Sequence, residues 1–168
     1  RLVGSEMCIR DRFYGMKRFF IVLWRVWFYI LSATAFILFF PLLAGLLFLP
    51  NGYRGVFWIA RNIWSRFILS GMGFSIKKVF KTPLDLKKSY LLVANHSSYI
   101  DIMLMFVTAP NPFVFVGKKE LEKVPFFGYI YKKAAILVDR SSSRSRHGVY
   151  SQAQEVLRKG YSVCIFPE

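Results

Sequence analysis

His96 and Asp101 stand five positions apart in Asn95-His96-Ser97-Ser98-Tyr99-Ile100-Asp101, directly after the apolar run YLLVA at residues 90–94. Histidine is the side chain best suited to moving a proton near neutral pH. A carboxylate bonded to one ring nitrogen fixes the tautomer and supports the imidazolium that forms when the other nitrogen takes a proton. Across a loop that turns into a helix, a spacing of five could bring the two side chains together. The bland reading is a capping His in a turn, and Ser97 is more simply a helix cap than a nucleophile. Cys164 alternates into the apolar run YSVCIF at 161–166 and reads as packing. The run RSSSRSRH at 140–147 could meet phosphate but also fits a solvated loop and cap, with His147 exposed. His96, His147 and Cys164 have no ligand spacing, so no metal site is expected.

The elements that must position these residues follow from pattern. Residues 90–94, 113–116, 134–138 and 161–166 read as buried strands, and residues 100–108 and 144–159 as helices. In the second helix Val149, Ala153, Val156 and Leu157 share one face, and Gly160 stops it. Residues 118–123 and 127–132 are short helical candidates separated by Pro125. Strands alternating with helices predict an α/β sheet, mixed or parallel. Catalytic groups in such sheets gather where strands end, and His96 follows one.

The front of the chain differs. Residues 26–49 hold no charge over 24 positions, more than the roughly 20 needed to cross a bilayer. A removable signal sequence has a shorter apolar region ending in small residues, whereas this run ends in Phe48-Leu49-Pro50. Pro41 and Gly45 are expected to kink it. Lys17, Arg18 and Arg25 precede the run, and Arg54, Arg61, Arg66, Lys77 and Lys78 follow. With both flanks basic, a helix returning to the same face competes with a true span. Residues 54–69 are amphipathic. Arg54, Arg61, Asn62, Ser65 and Arg66 lie on one arc, with Val56, Phe57, Ile59, Ala60, Ile63, Trp64, Phe67 and Ile68 opposite. That pattern suits a helix in the membrane interface, which its proximity to the apolar run favours over an ordinary surface helix packed on a core.

Composition narrows the class. Among 168 residues, Lys plus Arg number 24 and Asp plus Glu 9, a net charge of +15, while 55% of residues are hydrophobic and 18% aromatic. High apolarity excludes intrinsic disorder. It also argues against nucleic acid as the partner, since a nucleic-acid binder needs the charge but not the 18 Phe. High basicity with high apolarity points to an anionic membrane surface. Residues 1–12 (RLVGSEMCIRDR) show no apolar period and resemble translated adapter sequence, so Met16 is an expected start. The end at Phe166-Pro167-Glu168, after an apolar run, resembles a cut inside a domain.

Asn-His followed by Asp five positions after the His, behind an apolar strand, resembles the first sequence block of the glycerolipid acyltransferases. Gly117-Lys118-Lys119-Glu120-Leu121 with Pro125-Phe126-Phe127-Gly128 resembles their second block, and Ala135 through Asp139-Arg140 the strand closing it. Phe166-Pro167-Glu168 is similar to the start of their third block. Order and spacing resemble the 1-acyl-sn-glycerol-3-phosphate (lysophosphatidate) acyltransferase family over residues 16–168. The resemblance implies a membrane-associated helical region at 16–76 and a partial, C-terminally truncated α/β acyltransferase domain at 77–168.

It further implies transfer of an acyl group from acyl-CoA or acyl carrier protein, as co-substrate, to the hydroxyl of lysophosphatidate, giving phosphatidate. His96 would be the general base and Asp101 its partner. Arg140, and more weakly Lys118, would bind the acceptor phosphate, because an Arg fork offers a phosphate two parallel charge-assisted bonds. Glu168 would shape the acceptor site. No cofactor or metal is implied. The expected setting is the cytoplasmic (inner) membrane, with the active domain facing the cytoplasm. The alternatives are an acyltransferase for another acceptor, glycerol 3-phosphate or another lysophospholipid, and a non-catalytic lipid-binding module.

Overall fold

The computed structural model describes residues 3–139 and 141–167. A helix of 44 residues, α1 (Val3–Leu46), leads the chain and runs without interruption through Pro41, ending just past Gly45. A turn with Asn51 in the left-handed region leads to α2 (Gly52–Ile59), a π-helical segment (Ala60–Trp64) and α3 (Ser65–Gly71). The α/β part follows as β1 (Leu91–Val93), α4 (Ile100–Thr108), β2 (Phe113–Lys118), a 3₁₀ turn (Lys119–Lys123), α5 (Phe127–Ala134), β3 (Ala135–Val138), α6 (Ser143–Arg158) and β4 (Ser162–Ile165).

The four strands lie in the order β1-β4-β2-β3, and every pairing is parallel. The sheet is therefore the parallel form of the expected α/β architecture. Parallel strands need helical crossovers that cover both faces. On one face α6 lays Val149, Ala153, Val156 and Leu157 against Val114, Ile136 and Val163, the side predicted from the helix pattern. On the other, Phe113 and Cys164 meet Phe57 of α2 and Met105 and Phe106 of α4. Alternation along β2 sends Phe113 and Phe115 to one side and Val114 and Val116 to the other.

Much of the apolar arc of segment 52–71 packs inside the protein. Val56, Phe57, Ile59 and Ile68 are buried against α1 and the sheet. Two positions depart from the helical wheel: Ser65 is fully buried, whereas Phe67 is 48% exposed. The cause is the π-helical turn at Ala60–Trp64, whose wider winding rotates α3 relative to α2. Arg61 donates to the Pro110 carbonyl at 2.9 Å, and Lys78 donates to that of Val107. Both cations thus meet the carbonyl end of α4, where positive charge is favoured. Burial lowers the pKa of each, with the neighbouring Arg66 adding to the effect on Arg61 and Arg61 to that on Lys78.

α1 presents a narrow stripe to the rest of the fold. Phe28 and Leu31 pack on Ile68, Leu69, Met72, Met103 and Val107, while Leu43 packs on Val56, Ile59 and Ile130. Trp27 donates its indole N–H to Gly71 and Trp64 donates to Ser32, at 3.0 and 3.4 Å. The remaining faces stay open, with Phe19, Phe20, Ile37 and Leu38 each more than 60% exposed. Residues 16–46 have the length and mean hydropathy, 2.1, to cross a membrane.

Candidate active site

Because every strand points the same way, the four C-terminal ends deliver their following residues to one edge of the sheet. Val93 of β1 pairs with Ile165 of β4, so His96, three residues beyond β1, comes beside Phe166. β2 ends at Lys118, which pairs with Val138, and Asp139 follows. Residues far apart in sequence are thereby placed around one opening.

His96 and Asp101 meet: Nδ1 lies 3.3 Å from Asp101 Oδ2, and the two side chains are 35% and 21% exposed. The same oxygen accepts the backbone N–H groups of Ser97 and Ser98 at 2.7 and 2.8 Å. Ser97 is the expected cap of this helix start. Ser98 Oγ accepts from Ile100 at a long 3.4 Å, and the stronger ties run to Asp101. The reason is reach: a carboxylate one position inside α4 folds back over the loop and satisfies two amides that the helix leaves open. It also carries negative charge at the helix N-terminus, where the dipole favours it.

Lys118 is expected to open a short helix at 118–123; it is instead the exposed last residue of β2 and lines the same cavity as His96. Arg140 and Glu168 lie outside the described residues. Their neighbours do not: Asp139 accepts from the Ser141 hydroxyl and N–H, which lower its pKa, and it donates its own N–H to Ser145 Oγ. His147 is exposed. The Cys164 thiol is buried and its pKa is pushed up to about 12 by desolvation, which suits packing and not nucleophilic chemistry.

Beneath the histidine opens a cavity of about 1890 Å³, lined by His96, Phe166 and Lys118 at the strand ends and by Phe28, Phe36 and Phe126 nearer α1. Its wall is apolar, so a hydrocarbon chain could run from the imidazole toward the first helix. Tyr99, inside the first block, stacks on Phe28 of α1 at 6.5 Å. The Pro125-Phe126-Phe127-Gly128 segment forms a tight turn here. The Phe127 N–H reaches the Pro125 carbonyl at 2.6 Å, and Phe126 sits at φ 60° and ψ −53°. That is a γ-turn, rare for a non-glycine residue and strained. Gly128 closes it so tightly that a Cβ would stand 1.9 Å from the Glu122 carbonyl oxygen.

Two contributors to the site escaped the sequence reading: the Ser97 and Ser98 amides, and the ring of Phe166, stacked on His96 with centroids 4.4 Å apart. Local signals could not show the second, which depends on β4 lying next to β1.

These features define a parallel α/β domain with a His–Asp pair at the strand ends and a helix-lined apolar cavity below it. Residues 75–168 match the acyltransferase family, and the chain belongs to it. It is 32% identical to the 1-acyl-sn-glycerol-3-phosphate acyltransferase of Escherichia coli (strain K12) over 100 residues, 56% of this chain and 40% of that protein. It is 30% identical to a lyso-ornithine lipid O-acyltransferase of Pseudomonas aeruginosa over 111 residues, 66% of this chain and 39% of the relative. Its fold matches the crystal structure of a 1-acyl-sn-glycerophosphate acyltransferase from Thermotoga maritima. The TM-score is 0.64 at 21% identity, covering 88% of this chain and 60% of that one. The chain spans about two fifths of the length of these curated relatives.

Proposed function

We propose that the protein transfers a fatty acyl group from a thioester donor, acyl-CoA or acyl carrier protein, to the free hydroxyl of lysophosphatidate. The observation that carries this reading is the His96–Asp101 pair, 3.3 Å apart, standing over an apolar cavity of about 1890 Å³. His96 Nε2 accepts the hydroxyl proton while the acceptor oxygen attacks the thioester carbonyl. Asp101 holds Nδ1 and supports the transient imidazolium. Collapse of the tetrahedral intermediate breaks the C–S bond, and the proton passes from His96 to the departing thiolate. Arg140 with Lys118 would hold the acceptor phosphate, and Glu168 would shape its surroundings.

The test is acyl transfer to lysophosphatidate in vesicles, with each donor in turn. His96→Ala should lower turnover by about 10²–10⁴ without changing the melting profile. Wild-type-like turnover in that variant would sink the mechanism. Arg140→Ala should raise KM for lysophosphatidate far more than KM for the thioester, and equal effects would make Arg140 structural.

The likeness to the Pseudomonas aeruginosa relative supports a second acceptor, a lyso-ornithine lipid. Side-by-side kcat/KM values for the two acceptors decide between them. For the setting we propose the cytoplasmic membrane with the catalytic edge toward the cytoplasm, supported by basic flanks on an apolar helix. Cleavage near Arg144 only from outside right-side-out vesicles would overturn that orientation.

A further inference from the structure

We propose that Phe166 is a positioning residue, holding the imidazole of His96 in the one orientation that proton transfer requires. What the imidazole does rests on the acyl-transfer reading; how it is held rests on geometry alone. The rings of His96 and Phe166 are stacked, with centroids 4.4 Å apart and planes 24° apart. Phe166 stacks in turn on Phe115, at 5.5 Å and 22°. Phe115 is gripped edge-on by Phe113 at 4.8 Å and by Phe106 at 5.4 Å. Phe113 is fully buried, so the column that ends at the imidazole is rooted in the core.

The need for such a clamp follows from the rest of the site. The ring torsion of histidine is broad, so packing must choose its setting. Asp101 constrains Nδ1 from 3.3 Å, but with 35% of the His96 side chain exposed, one contact leaves the ring free to swing. A flat ring against its face removes that freedom and leaves Nε2 as the nitrogen free to take the acceptor's proton. An aromatic face also suits the imidazolium formed during transfer. Phe166 directly follows β4, whose Ile165 carbonyl accepts the Ala94 N–H, so backbone pairing fixes the clamp relative to the His96 loop.

The experiment compares the wild-type chain with Phe166→Leu and Phe166→Tyr. Ring-nitrogen NMR of ¹⁵N-histidine protein reports the His96 tautomer, and acyl-transfer kinetics report kcat and both KM values. Wild type and Phe166→Tyr should show a single tautomer protonated at Nδ1. Phe166→Leu should show a mixture, and its kcat should fall about tenfold, the size expected for a lost stacking contact, with both KM values within about twofold. Phe166→Tyr should restore most of kcat.

If the Leu variant loses its cooperative melt, Phe166→Met, of similar bulk and more adaptable, replaces it with the same expectations. A nonaromatic variant that keeps the wild-type tautomer and kcat overturns the clamp, whatever the acyl-transfer result. A wild-type chain that transfers no acyl group but whose tautomer still depends on Phe166 supports the clamp and overturns the acyl-transfer reading instead.

Discussion

Asp101 Oδ2 is shared between the Ser97 and Ser98 amides and His96 Nδ1, so one atom both shapes the loop and orients the imidazole. Replacing the carboxylate by an amide keeps an oxygen for the loop but removes the charge that supports an imidazolium. Asp101→Asn is therefore expected to melt close to wild type while losing about 10²-fold or more in turnover, read by calorimetry and initial rates. Cys164 illustrates the opposite kind of residue. Its thiol, raised to about 12, contributes stability that is complete below the pKa of a free thiol and is lost as pH rises through the folded value. At about pH 8.5 it should resist iodoacetamide in a Cys8→Ser background until the protein is unfolded. Rapid labelling of the native chain would show that β4 opens readily.

Among the elements, the Pro125–Gly128 turn carries a local conformational cost. The γ-turn at Phe126 is expected to cost about 1–3 kcal/mol, which surrounding contacts must offset. Phe126 packs edge-on against Phe40 of α1 at 5.2 Å, and Phe127 meets Phe36 at 5.7 Å. The strain thus joins the cavity wall to the first helix. Gly128→Ala puts a methyl on the Glu122 carbonyl, and the turn must open to admit it. A loss of about 1–3 kcal/mol is expected, seen as a fall of several degrees in Tm. An unchanged Tm would mean that the 3₁₀ turn before it yields freely.

For the whole molecule, the division of labour along α1 governs behaviour. One stripe is committed to α3, α4 and α5, while the other faces remain apolar and open. Apolar insertion is not screened by salt, so the protein should stay with bilayers through a high-salt wash. Release by salt alone would place the open faces against protein. Removing residues 1–76 should do more than weaken membrane attachment. It strips Phe57 from Phe113, and Ile68 and Leu69 from Met103 and Val107, leaving core surface bare. The shortened chain is expected to lose cooperative melting, which calorimetry would show.

What could be read from the sequence was whatever is encoded within a dozen neighbouring residues. Apolar runs marked all four strands, the stripe Val149, Ala153, Val156 and Leu157 gave the buried face of α6, and the His96–Asp101 spacing pointed to a pair that the fold brings together. Strand order could not be read this way, because pairing β1 with β4 joins residues some seventy positions apart and depends on which sheet faces the helices can cover. The placement of Ser65 and Phe67 turned on a single π-helical turn, and the seat of Lys118 on where β2 ends. Phe166 belongs with these: its residue type was visible as part of a block, but its place against the imidazole exists only because parallel strands end side by side.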